Sequence, residues 1–334
     1  MNKFERFNND ILNNYSENII FNISPSSSFR SRCEFSYSNN SYVMHDKDQR
    51  IFMTSFDCAS KAIKRKMPIL LEEINSSNEI KEKLFQINFR SNSMNEVLVT
   101  LIYHRTVDEV LINSIDNLSN KIDIKTIIRS KNFTHAFDGL IFEDTLGFNN
   151  LKIYQTDNCF FQPNKYLLNK MINKVYDFVE NPEDLLELYC GVGTFTLPLS
   201  STFKKVFATE NNRKADECLQ KGIIDNKINN IHTARLSSNE VVELFKGRAV
   251  RRMKDKSLLS YNFSHILVDP PRSGLSEEVI DIINLFKNVI YISCNPDSYL
   301  RDINLLGNHK LEKIEVFDQF PNTKHLEIVS LLSK

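Results

Sequence analysis

The second half of the chain is predicted to fold as an open α/β sheet wound on both faces, and the first half as a mixed, sheet-rich α+β domain. Three observations predict this. From about residue 163 short apolar runs alternate with stretches of helix length. Glycine and proline are scarce, 8 and 9 residues, and they cluster in that half at the ends of apolar runs, as Gly191, Gly193, Pro270, Pro271, Gly274, Pro296 and Pro321. The 334 residues also exceed the roughly 250 to 300 at which one hydrophobic core stops growing. Two domains are expected, at 1–158 and 159–334.

In the first half, residues 34–57, 85–104 and 137–158 carry short aromatic and β-branched runs, such as Phe35 to Tyr37, Val97 to Tyr103 and Leu151 to Tyr154. One helix is expected at about Ser60 to Asn75. The second half reads as a helix Asn164 to Glu180, a strand Leu185 to Tyr189 and a helix after Thr194. A strand Val206 to Thr209, a helix to about Asp225 and a strand Ile231 to Ala234 follow. Beyond an insertion come strands Ile266 to Val268 and Val289 to Ile292, each followed by a helix, and a last strand Ile328 to Leu332. In such a sheet, ligands bind at the carboxyl ends of the strands.

Hydrophobic residues make up 41% and charged residues 25%, which excludes a largely disordered chain. Lys plus Arg and Asp plus Glu both total 42, so a polyanionic partner must be met by local basic patches. No apolar run approaches the length that spans a bilayer, and the start MNKFERFNND is too polar for a secretory signal, so a cytoplasmic location is expected. The 6 cysteines are dispersed without a CxxC pair, which argues against a metal site, an iron-sulfur cluster or a disulfide framework.

Four motifs carry chemistry. LLELYCGVGTFT, Leu185 to Thr196, is a buried strand running into Gly191-Val192-Gly193 and a helix, a geometry in which glycines let backbone approach a nucleotide-like ligand. Glu210 closes the next strand, where a carboxylate binds ribose hydroxyls. Thr196 stands where a dinucleotide fingerprint has its third glycine, which favours S-adenosylmethionine over NAD. The second motif, Asp269-Pro270-Pro271-Arg272-Ser273-Gly274, forms a stiff loop, because two prolines fix φ. Arg272 occupies the place where amino-group methyltransferases carry a base-stacking aromatic, which disfavours attack by an exocyclic amine. Ser293-Cys294-Asn295-Pro296 sets a thiol at the end of a central strand, whereas Cys190 reads as packing beneath the glycine loop. In the last motif, Asp318 to Glu327, both His325 and Glu327 are candidate bases. Apolar neighbours of Glu327 raise a carboxylate's pKa into a useful range.

Together LELYCGVGTF, VDPPRSGL, YISCNP and DQFPNTKHLE, with FFQPN at 160–164 and, more loosely, FRSRCEFSY at 29–37 and KLFQI at 83–87, resemble the RNA 5-methyluridine methyltransferases, and most closely the bacterial tRNA enzymes. The resemblance implies a Rossmann-like class I S-adenosylmethionine-dependent methyltransferase domain behind an RNA-recognition domain. It implies Cys294 as nucleophile, Glu327 as proton acceptor, and Gln162, Tyr189, Gly191, Thr194, Glu210 and Asp269 as contacts of S-adenosylmethionine. The family usually has Asn at the positions of Val192 and Thr194; Thr194 keeps a hydroxyl, and Val192 can only pack. Ribosomal-RNA members typically add a cysteine cluster and an oligonucleotide-binding barrel, neither of which is seen here. The substrate implied is therefore tRNA, at the T-loop uridine 54, with a monomer as the default state.

For RNA contacts the candidates are Arg272, Phe85, Arg251 and Arg252. Phe35 and Tyr37 are further aromatics that could stack on splayed bases, and Lys61, Lys64, Arg65 and Lys66 could meet phosphates. The insertion adds Lys246, Arg248, Lys254 and Lys256 against one acid, Asp255. The rival readings are the same chemistry on ribosomal RNA, a non-catalytic RNA-binding or RNA-folding protein, and NAD-dependent oxidoreduction.

Overall fold

The computed structural model describes residues 2–11, 19–46, 49–253, 258–321 and 323–334. The chain divides into two compact units, one of Met1–Ser24, Leu146–Gln162 and Tyr166–Lys334, the other of Pro25–Thr145 and Pro163–Lys165. This displaces the boundary expected at 158/159. The strand Ile20–Asn22 pairs with Lys310–Phe317 and so draws the amino-terminal residues into the sheet of the larger unit, and Pro163–Lys165 is claimed by the other unit through the bridge between Arg30 and Asn164. That bridge also accounts for the helix expected from Asn164 beginning only at Leu168 and running to Asp177.

The larger unit holds an eight-stranded sheet in the order Ile20–Asn22, Lys310–Phe317, Glu327–Ser333, Asn288–Ser293, Phe263–Val268, Asp184–Leu188, Lys205–Thr209 and Ile231–Ala234. Both faces are covered. Leu185, Leu267, Ile290 and Ile292 face a core with Met171, Val175 and Leu219, while Leu186, Ile266, Val268, Val289 and Tyr291 face a second core with Val279, Ile283 and Tyr299. Near-continuous apolar strands are the signature of a sheet buried on both sides. One expectation needs amending: the sheet is mixed, because Glu327–Ser333 runs antiparallel to both Asn288–Ser293 and Lys310–Phe317. The helix after Thr194 is a short turn, Thr196–Leu199.

The smaller unit is a seven-stranded sheet in the order Gln49–Met53, Ser41–Asp46, Arg32–Ser38, Leu84–Ser91, Val97–Tyr103, Lys125–Ser130 and Phe133–Ala136. Its helices Lys61–Ser76 and Glu109–Ile122 bury Ile63, Met67, Leu70, Leu111, Ile115 and Leu118 in one core with Phe35, Ile87, Phe89 and Leu101. The second helix supplies the crossover between the parallel strands Val97–Tyr103 and Lys125–Ser130. No helix among the described residues is long and apolar enough to cross a membrane.

Candidate functional site

Parallel register brings the motifs to one edge of the sheet. Leu188 is level with Thr209 on one side and Val268 on the other, and Val268 is level with Tyr291. The residues that follow, Tyr189, Glu210, Asp269 and, two beyond Ile292, Cys294, therefore leave the sheet at its carboxyl edge. Tyr189 begins the glycine loop in the left-handed region, with φ at 61°, followed by Gly191 at 57° and Gly193 at 92°. A bulky residue tolerates such a φ only where its surroundings fix it.

The two glycines differ in purpose. A Cβ at Gly193 would sit 2.5 Å from Leu219 Cδ1, whereas one at Gly191 would meet open space. Gly191 N–H instead donates to Glu210 Oε2 at 3.0 Å, and Asn212 N–H donates to Glu210 Oε1 at 2.7 Å. The carboxylate is held in place with lone pairs left for a ribose. Gln162 is buried and its Oε1 has no partner, an acceptor that a bound ligand would satisfy. Thr194 is also buried. Cys190 lies in the core beneath the loop, with its thiol pushed well up by burial, as expected of a packing residue. Open space at Gly191, an anchored Glu210 and an orphaned Gln162 acceptor fit S-adenosylmethionine.

At the other end of this edge, antiparallel register does what parallel register cannot. Ser293 pairs with Ile328, so the next residues outward on the two strands are Cys294 and Glu327. Cys294 is half-buried; Glu327 is only 2% exposed. Burial pushes the Cys294 thiol up to about 11, with the Glu327 and Asp269 carboxylates adding to the rise and Arg272 opposing it. Glu327 is raised well above the carboxylate range by burial and then by Asp269, again against Arg272. Asp269 is raised to about 7 by burial. These four side chains thus share one electrostatic neighbourhood. His325 is half-buried in the turn before the strand, and burial lowers its pKa.

Asp302 and Arg301, which carry no sequence signal, hold the Asp269–Leu275 loop together with Asn295 of the Cys294 motif. The buried Asp302 carboxylate accepts from Leu275 N–H at 2.9 Å and from the Tyr291 hydroxyl at 2.6 Å. Arg301, paired with Asp302, donates to the carbonyls of Ser273 and Leu275. Asn295 Nδ2 donates to the Arg272 carbonyl at 2.9 Å while its Oδ1 caps the helix Pro296–Leu305. Asn-Pro at a helix start was the one readable sign of that role.

The expected RNA contacts fall in both units. In the smaller unit Phe85 is exposed and stacks on His104, with centroids 4.1 Å apart. Phe35 is corrected to a core residue, buried against Tyr42 and Phe89, and the Tyr37 hydroxyl is spent on Asn75. Lys61 and Arg65 are exposed, whereas Lys64 pairs with Asp57 and Lys66 donates to the Ile122 carbonyl. In the insertion Lys246, Arg248, Arg251 and Arg252 are exposed; Arg248 pairs with Glu243 and Arg252 donates to the Arg235 carbonyl. Lys254, Asp255 and Lys256, and Asn322 of the last motif, lie outside the described residues.

A family model described as tRNA (Uracil-5-)-methyltransferase matches residues 2–334. A tRNA/tmRNA (uracil-C(5))-methyltransferase of Campylobacter jejuni (strain RM1221) is 41% identical over 318 residues, covering 92% of this chain and 88% of the relative. One from Neisseria meningitidis serogroup B is 37% identical over 328 residues, covering 93% and 91%. Among solved structures, the Pyrococcus abyssi tRNA (uracil-54, C5)-methyltransferase in complex with S-adenosyl-L-homocysteine matches 99% of this chain and 82% of its own. Its TM-score of 0.78 at 20% identity establishes a common fold.

Proposed function

Because this chain belongs to the tRNA (uracil-5-)-methyltransferase family, we propose that it methylates carbon 5 of a tRNA uridine in the cytoplasm, at T-loop position 54, with S-adenosylmethionine as donor. The observation that carries the reading is the antiparallel register that sets Glu327 beside Cys294 at the edge holding Asp269. Position 54 is implied by the resemblance and is the uridine on which the Pyrococcus abyssi relative acts; tmRNA, paired with tRNA as substrate of the Campylobacter jejuni relative, is a second RNA to assay.

Carbon 5 of uracil is too weak a nucleophile to take a methyl group unaided, so the Cys294 thiolate first adds to carbon 6 and turns the ring into an enolate. S-adenosylmethionine, when bound, supplies an electrophilic methyl group. Gln162, Tyr189, Gly191, Thr194 and Glu210 would hold it, together with Asp269, whose carboxylate shares the surroundings of Cys294 and Glu327. Once carbon 5 carries the methyl group, Glu327 takes the remaining proton there. The freed electron pair restores the carbon 5–carbon 6 double bond and expels the thiolate. Burial makes Glu327 a stronger base than a solvated carboxylate. Arg272, the cation that opposes the carboxylates around Cys294, stabilises the thiolate before addition and the enolate after it.

A stacked uridine cannot reach Cys294 and must be flipped out, at a cost of a few kcal/mol. The smaller unit is the RNA-recognition domain in this reading, with Phe85 as a stacking platform and Arg251 and Arg252 of the larger unit on phosphates. The test is mass spectrometry of nucleosides from unmodified tRNA, tmRNA and ribosomal RNA transcripts treated with protein and S-adenosylmethionine, with Cys294→Ala in parallel. New 5-methyluridine at position 54 of tRNA, absent with the variant, is expected. Product in ribosomal RNA alone would overturn the substrate, and no product from folded, cofactor-binding protein would favour a role confined to RNA binding.

A further inference from the structure

The helix Lys3–Ile11 belongs to the larger unit and lines, with Arg272, Asn295 and His325, a cavity of about 490 Å³. The helix is anchored: Phe7 and Ile11 are buried in the core against Tyr299 and its neighbours. From this base Lys3 reaches the segment that leads into Glu327. Its ammonium donates to Asp318 Oδ1 at 2.6 Å, to the Phe320 carbonyl at 3.1 Å and to the His325 carbonyl at 3.2 Å. An ammonium has three donors, and these contacts use all of them. The ion pair is shielded, with side chains 15% and 8% exposed, so it is not a solvated surface bridge of negligible worth.

The three acceptors span the turn between the strands Lys310–Phe317 and Glu327–Ser333. Asp318 opens it, and its own N–H is fixed on the Asn22 carbonyl at 2.9 Å; His325 stands two residues before Glu327. One cation thereby gathers both ends of the turn and sets the direction in which the chain enters the strand at Glu327. The strand that ends just before Cys294 pairs with Glu327–Ser333 on one side but also with Phe263–Val268 on the other, and Asn295 just beyond it donates to the Arg272 carbonyl, so Cys294 has two supports that lie outside the turn Lys3 binds.

We propose that Lys3 is a positioning residue that latches this turn so that Glu327 is aimed at carbon 5, serving proton removal and not thiolate addition. The inference rests on the methylation reading above. In the step concerned the carbon 5–hydrogen bond breaks, its proton passes to Glu327, its electron pair re-forms the ring double bond, and the carbon 6–sulfur bond breaks with the pair leaving on Cys294. A misaimed base therefore leaves the RNA covalently attached.

The experiment follows the protein–RNA adduct on denaturing gels and 5-methyluridine in the same samples, with full-length protein, tRNA transcript and S-adenosylmethionine. Lys3→Met is expected to form adduct at the wild-type rate but resolve it about 10- to 100-fold more slowly, the scale of a small displacement of a reacting group. Adduct should accumulate as with Glu327→Gln, and Lys3→Arg should restore turnover. Parallel loss of adduct formation and resolution, or no change in either, overturns the latch. Should Lys3→Met fail a thermal unfolding check, Asp318→Asn, which keeps both carbonyl contacts, takes its place. Unfolding of both variants would overturn the proposal by making the contact one that holds the fold. Wild-type turnover with adduct in Glu327→Gln but not in the Lys3 and Asp318 variants overturns the latch alone; absence of 5-methyluridine from the wild type overturns the methylation reading as well.

Discussion

Cys294 faces a conflict that sets its pH dependence. Burial and the nearby Glu327 and Asp269 carboxylates hold its thiol at about 11, and Arg272 works against them. A raised pKa means that the thiol keeps its proton through neutrality, and below that pKa the thiolate fraction grows about tenfold per pH unit. The single-turnover rate of adduct formation should accordingly rise by about tenfold per unit between roughly pH 7 and 9. Removing the opposing cation with Arg272→Gln should lower the rate at every pH in that window; a flat profile would show that Cys294 enters the reaction already ionised. The thiol could be singled out in the sequence because a cysteine ending a central strand sits where ligands bind. Apart from the resemblance, which implies Glu327, the residues alone left His325 and Glu327 equal, since which of them the antiparallel pairing brings opposite Cys294 is a matter of strand register, a long-range property. Phe35 failed as an RNA contact for a similar reason: an aromatic on a strand faces core or solvent according to register.

The elements were readable in proportion to how local their causes are. Strands such as Asn288–Ser293 stand out because burial on both faces demands an unbroken apolar run, here Val289 to Ile292. The strand Lys310–Phe317 is half-exposed, with the pattern KLEKIEVF, and its place beside Glu327–Ser333 is a tertiary matter. The helix Lys3–Ile11, with mostly polar residues, is likewise held by what it packs on. Glu109–Ile122 was open to a closer reading: Leu111, Ile115, Leu118 and Ile122 recur at helical spacing, and Asp108 caps Leu111 N–H. The glycine loop gives the sharpest mutational forecast at this scale. Gly193 combines φ at 92° with a Cβ site 2.5 Å from Leu219 Cδ1 and 3.3 Å from Leu197 Cγ. Gly193→Ala should therefore destabilise the protein by about 1–3 kcal/mol, read by denaturant unfolding, and weaken S-adenosylmethionine binding, read by calorimetry. Unaltered stability and binding would mean that the loop relaxes freely.

At the scale of the whole molecule, the sequence showed two units but not that the first is inserted within the second, because Ile20–Asn22 joins the large sheet only by pairing with Lys310–Phe317, far along the chain. The charge balance was fully legible and has a consequence for RNA binding. With 42 basic and 42 acidic residues, the molecule offers no net attraction to a polyanion at distances beyond the Debye length, about 8 Å at physiological salt. Affinity must come from patches that meet phosphates directly, each neutralised phosphate releasing counterions and steepening the dependence of log affinity on log salt by roughly 0.7 to 0.9. If Arg251 and Arg252, exposed in the insertion, meet phosphates, then replacing both with alanine should weaken tRNA binding and make that slope shallower by about 0.7 to 0.9 for each phosphate no longer neutralised. S-adenosylmethionine affinity, which the proposed reading assigns to the glycine loop and Glu210, should stay the same. Filter binding across a salt series measures the slope directly. A weaker affinity with an unchanged slope would mean that the arginines support the insertion's own packing, through bonds such as that from Arg252 to the Arg235 carbonyl, and that RNA is met elsewhere.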